Sequence, residues 1–145
     1  MRPCRTTTRL TTGFEDLSAG LRAWARGLCC LQVAVELLIG HRQWLWRRNF
    51  GDVALGQARH VFTGEWLVTV DFVAAVEALL AGVLPCSSGE RQILLIAASI
   101  AEGIPVDLRA ALEDLDAGTV GLVIRAFAGA AGQDGIDAPE TGAGR

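Results

Sequence analysis

The sequence contains no lysine and no tyrosine, one methionine and one asparagine, Asn49. All thirteen basic residues are arginines, a profile that GC-rich codons favour, so a single arginine says little about function. A dominant charge is also missing: 13 basic and 16 acidic residues leave a net −3. That balance argues against a general electrostatic pull toward nucleic acid or an anionic membrane. Long apolar runs are absent as well. Leu28 to Ile39 is interrupted by Gln32 and Glu36, and Leu67 to Leu84 by Asp71 and Glu77, short of the roughly 18 uncharged residues of a membrane span. Met1 to Thr12 mixes Arg2, Arg5 and Arg9 with threonines and lacks the apolar stretch of a signal peptide. The four cysteines, Cys4, Cys29, Cys30 and Cys86, include no C-x-x-C pair, so neither a zinc site nor a disulfide framework is expected. All four are read as reduced, with Cys29 or Cys30 packed in the core. These absences predict a cytoplasmic protein with no membrane contact.

What is present is apolar bulk. The 145 residues are 51% hydrophobic and 20% charged, far from a disordered composition and enough for one packed domain. The sequence predicts an all-α bundle of about six helices over 15–132, with a disordered arm at 1–14 and a Gly-rich disordered tail at 133–145. Its clearest period is Leu17, Leu21, Trp24, Leu28, Leu31, Val35 and Leu38, a 4-3-4-3-4-3 spacing that places large groups on one face of a central helix over 17–39. Gly20, Ala23, Gly27, Cys30 and Ala34 repeat that spacing with small residues, inviting close approach of a second helix. A helix over Phe50 to Val61 follows, then a lone extended segment at 65–70 with no partner strand in view. Asp71 caps a helix bearing Phe72, Val76, Leu79, Leu80 and Val83. Ser87 and Glu90 form a capping box before Ile93, Ile96, Ala97 and Ile100. Asp107 and Asp116 cap two more helices, which carry Leu108, Ala111, Leu112 and Leu115, then Val120, Val123, Ile124, Phe127 and Ala131.

No strong catalytic, metal or nucleotide motif appears, and no cofactor is expected. The best functional candidate is the connector after the central helix, where Arg42, Trp44, Trp46, Arg47 and Arg48 combine amphipathic rings with planar guanidinium forks suited to a partner surface. The same residues also fit tryptophan core anchors with a solvated arginine rim. From His41 to His60 the charge is four Arg against Asp52, and from Glu102 to Glu140 eight acids face Arg109 and Arg125, an asymmetry that can orient partners or bring two copies head to tail. Trp44, Phe50, Phe62 and Trp66 form a candidate lining for a small-ligand pocket. Metal binding is disfavoured, because Glu36, His41 and His60 lack ligand spacing. Cys86 precedes a helix start that can depress a thiol pKa, yet no base stands near it in sequence. Glu113, Asp114 and Asp116 read as helix-end chemistry rather than a cation site. The last three helices resemble a helix-turn-helix in connection length, but Arg125 is the only basic residue of the presumptive reading helix, so that helix is not expected to read nucleic acid.

The phrases LRAWARGL (Leu21 to Leu28), VELLIGH (Val35 to His41), LPCSSGER (Leu84 to Arg91) and EGIPVDLRAAL (Glu102 to Leu112) resemble a group of small uncharacterised actinobacterial proteins over roughly residues 20 to 132. The resemblance implies a bacterial cytoplasmic protein and lends no catalytic residue. Together the readings predict a noncatalytic protein-interaction or regulatory module, with a homo-oligomer as one form of that interaction. The alternatives are a small-ligand-binding helical protein and, less favoured, a nucleic-acid-associated regulator.

Overall fold

The apolar 4-3-4-3 seam folds as two helices rather than one. In the computed structural model, which describes residues 13–132, α1 spans Phe14–Ala25 and α2 spans Cys29–His41. Between them the Leu28 N–H donates to the Ala25 carbonyl at 3.0 Å, Arg26 sits at φ −54° and ψ 130°, and Gly27 at φ +85°. This is the type II turn pattern, whose third position needs positive φ and so selects glycine. Gly27, read as a small member of a helix flank, breaks the helix. As a result Leu28 leaves the buried seam and is 58% exposed, and Cys29 and Cys30 are both exposed in the first turn of α2 instead of packing in the core. Phe14, assigned to the arm, is the first residue of α1. The rest of the predicted arm, apart from Gly13, and the tail at 133–145 lie outside the described residues.

The second departure is a hairpin. Helix α3 (Arg48–Ala54) stops where the sequence predicts helix to Val61, and the chain continues as β1 (Leu55–Arg59). It pairs antiparallel with β2 (Trp66–Val70), from Leu55 opposite Val70 to Arg59 opposite Trp66, so the segment read as lone has a partner. The Asp71 N–H closes the hairpin base on the Ala54 carbonyl at 2.8 Å. β2 presses Val68 against α1 at Gly20, where an added Cβ would stand 2.5 Å from Val68 Cγ2. A strand thus takes the close approach that the small-residue flank predicts for a helix. Gly56 serves a similar end across the hairpin, since a Cβ there would stand 2.6 Å from Thr69 Oγ1.

The remaining helices start where their caps predict. Asp71 accepts the Ala74 N–H at the head of α4 (Phe72–Leu80), and Asp107 accepts from Arg109 and Ala110 at the head of α6 (Leu108–Asp114). Asp116 accepts the Thr119 N–H of α7 (Ala117–Ala130). The capping box of α5 (Ser88–Glu102) is complete, with Glu90 N–H donating to Ser87 Oγ and Ser87 N–H to Glu90 Oε1. α2 is the hub: it packs on α1, α5 and α7, while α4 and α6 both lie on α5. α2 and α7 run antiparallel at close range, with Gly40 under Leu122 and Gly129 under Val33. The core joins Leu21 and Leu38 to Trp44, Phe50, Phe72, Ile93 and Ile96, all at most 1% exposed. The fold is therefore mainly α-helical, with seven helices and one two-stranded sheet among the described residues. No helix among them is long and apolar enough to cross a membrane.

Candidate functional site

The Trp/Arg connector divides into an inner and an outer half. Trp44 is fully buried, packs against Phe50 at 5.5 Å between ring centroids, and donates its indole N–H to the Glu90 carbonyl at 2.8 Å. Arg47 lies over the Trp44 ring at 4.7 Å, donates to the Pro85 carbonyl, and pairs with the Glu90 carboxylate at 2.6 Å. These two residues fasten the connector to the first turn of α5 and leave the predicted interaction surface. Trp46 points outward, 66% exposed, and stacks on Phe14 at 5.4 Å, with the Arg42 guanidinium 4.9 Å from the Phe14 ring centroid. Arg42 is the only non-glycine residue with positive φ among those described, at +68°, a conformation that disfavours a residue with a Cβ. Arg48 is exposed. Arg42, Trp46 and Arg48 are what remains of the predicted surface, together with Phe14.

The predicted pocket lining does not assemble. Trp44 and Phe50 are sealed in the core, Trp66 is half-buried beneath Arg59 at 5.5 Å, and Phe62 is 92% exposed. Phe62 sits instead at the tip of the hairpin beside Val61, which is 88% exposed. The tip is tied down from several sides. His60 N–H donates to the Glu65 carbonyl at 2.8 Å, and His60 Nδ1 accepts the N–H groups of Phe62 and Thr63, both at 3.2 Å. Arg59 donates to the Gly64 carbonyl at 3.1 Å, and Gly64 holds φ +70°. Two large apolar side chains are thus presented to solvent on a fixed loop. The sequence signal was the Thr63-Gly64 break directly after Val61-Phe62.

A shallow apolar groove of about 280 Å³ lies among α5, α6 and α7, lined by Ile96, Ser99, Ile100, Val106, Leu108 and Phe127. Leu108 and Phe127 are 50% and 43% exposed, and Leu112 and Ile124 on the same two helices are 65% and 59% exposed. Helical periodicity marks all four as core positions. It misses that α6 packs on α5, and α7 chiefly on α2 and less on α5, with part of each stripe left uncovered.

Most of the polar candidates are engaged in local structure, and His41 is the exception. Glu36 pairs with Arg22 at 2.7 Å, and His60 Nδ1 is used within the hairpin tip. His41 is half-buried, its Nδ1 has no partner among the described residues, and its pKa is lowered, with burial the main cause. Glu90 and Asp116 pull that pKa back up and Arg47 pushes it down. Asp114 accepts from Gln92 at 3.1 Å, Glu113 pairs with Arg109 at 3.5 Å, and Asp116 caps α7. Burial pushes the Cys86 thiol up, against the smaller pull of Arg47. Its helix N-terminus therefore does not yield the activated thiolate a nucleophile needs. Compared with protein-family models, curated proteins and solved structures, the chain matches none, and its own surfaces are what bears on its role.

Proposed function

We propose that this chain is a noncatalytic protein-interaction module of the bacterial cytoplasm that engages its partner through the hairpin tip. The observation that carries the reading is the exposure of Val61 and Phe62, 88% and 92%, on a loop already fixed by His60, Arg59 and Gly64. A large aromatic anchor is the side chain that concentrates binding energy at protein interfaces. Holding it in place beforehand removes part of the ordering cost of association. The Arg42, Phe14 and Trp46 stack supports the same reading as a second aromatic and cationic contact. The exposed free thiols of Cys29 and Cys30 suit a reducing compartment.

The test is photo-crosslinking in the native host with benzoylphenylalanine in place of Phe62. A protein adduct, to this chain or another, that competes with excess wild-type chain supports the reading. Irradiation that leaves the tip free of any protein adduct refutes it.

A further inference from the structure

We propose that copies of this chain associate head to tail, the Val61 and Phe62 tip of one copy seated in the groove among α5, α6 and α7 of the next. The inference rests on the interaction-module reading and names its partner as a second copy. Three observations select that occupant. The first is chemistry: the groove of about 280 Å³ is lined by apolar side chains with Ser99 its one polar member, a surface suited to an exposed phenyl ring such as that of Phe62.

The second is charge. The segment from Ile96 to Leu108 supplies every lining residue except Phe127, and it carries Glu102 and Asp107 but no basic residue. At the tip, Arg59 has no carboxylate partner among the described residues, while Glu65 is engaged by Arg26 at 3.1 Å. A tip with one uncompensated cation thus faces a lining segment whose only charged residues, Glu102 and Asp107, are acids, Asp107 serving also as the cap of α6, a charge complementarity of the kind that orients association. The third is placement. The hairpin packs chiefly on α1 and α3. Tip and groove are both exposed in the same folded chain, so the tip does not fill its own groove. The two surfaces are different, so each contact leaves one free tip and one free groove. Growth continues until the rotation between copies closes a ring, or runs on as a chain.

Sedimentation velocity of the full chain over a concentration series tests this, with Phe62→Ser as the tip variant and Leu108→Ser with Phe127→Ser as the groove variant. The wild type should show a concentration-dependent rise in size. Phe62→Ser should weaken it about 10- to 100-fold, the loss expected for one buried Phe side chain. An equimolar mixture of the two variants, one retaining a groove and the other a tip, should form a dimer and nothing larger. A wild type that stays monomeric to about 1 mM, or folded variants that fail to form the mixed dimer, would overturn the proposal. Should the groove variant unfold, the adduct from position 62 decides. Attachment to α5, α6 or α7 peptides of this same sequence supports a second copy. Attachment only to another protein overturns the second copy and leaves the interaction module standing, whereas no adduct removes both.

Discussion

Gly20→Ala should destabilise the protein, although an Ala in a helix interior ordinarily stabilises by about 1 kcal/mol relative to Gly. The added Cβ would lie 2.5 Å from Val68 Cγ2, 3.2 Å from Val68 Cβ and 3.2 Å from the Val68 backbone nitrogen. Val68 is fully buried and paired in β2, so neither its short side chain nor its strand can yield easily. Overpacking of this kind costs about 1–3 kcal/mol, which leaves a net loss of about 1 kcal/mol after the propensity gain. Gly121→Ala is the internal control. Gly121 lies inside α7, and a Cβ added there would meet nothing within 4 Å, so the propensity gain of about 0.5–1 kcal/mol should appear undiminished. The two substitutions should therefore differ by about 2 kcal/mol, or about 6 °C in Tm for a domain of this size. Urea and thermal unfolding followed by far-UV circular dichroism measure both. Val68→Ala should cost about 2 kcal/mol alone and about 1 kcal/mol less in the Gly20→Ala background, where the new methyl group fills part of the space. Equal stabilisation by Gly20→Ala and Gly121→Ala, or strict additivity with Val68→Ala, would show that α1 and β2 do not meet as described.

Three further outcomes follow from the polar groups. Glu90 is held below its ordinary pKa of 4.5, chiefly by the Ser87 N–H and further by Arg47, so its stabilisation is complete above that pH and fades as pH falls through the lowered native value. Glu90→Gln should cost about 1–2 kcal/mol at neutral pH, and urea unfolding should find that penalty shrinking in acid; a penalty independent of pH would contradict the assignment. His41 has the same sign for a different reason: burial lowers its folded pKa below 6.5, so the unfolded chain binds the proton first and stability declines as pH drops below about 6.5. His41→Leu should flatten that decline, and an unchanged slope would exclude His41 as its source. Alkylation mapped by peptide mass spectrometry should modify exposed Cys29 and Cys30 well before half-buried Cys86, whose thiol is pushed up by burial; a faster Cys86 would reopen nucleophilic chemistry there.

The helix starts were legible because capping is local chemistry: Asp71, Ser87 with Glu90, Asp107 and Asp116 each bond within three residues of themselves. The turn at Gly27 was hidden, since an interior glycine costs a helix only about 1 kcal/mol and the apolar period continues through Leu28 and Leu31. β1 was hidden for the opposite reason. Its sequence, LGQAR, has no β-branched or aromatic residue, and it is extended because it pairs with β2 rather than from any preference of its own. The connector was legible as important but not in its orientation. The partner of the inward Trp44 is the Glu90 carbonyl, 46 residues away, so its orientation is set by a contact that local sequence does not display. Phe62 was recognised as a candidate and placed in the wrong setting, because hydropathy reports an apolar side chain without saying whether a hairpin lifts it away from the core.

The bonds of the connector to α5 also bear on how the molecule opens. Trp44 donates to the Glu90 carbonyl, Arg47 to the Pro85 carbonyl and the Glu90 carboxylate, and that carboxylate completes the cap of α5. One short stretch of backbone and one side chain therefore close a loop of about forty residues, so the connector and the first turn of α5 belong to a single cooperative unit. Hydrogen exchange should register them together: the indole N–H of Trp44 and the amide N–H of Glu90 should become accessible in the same opening event, at the same free energy, despite their distance along the chain.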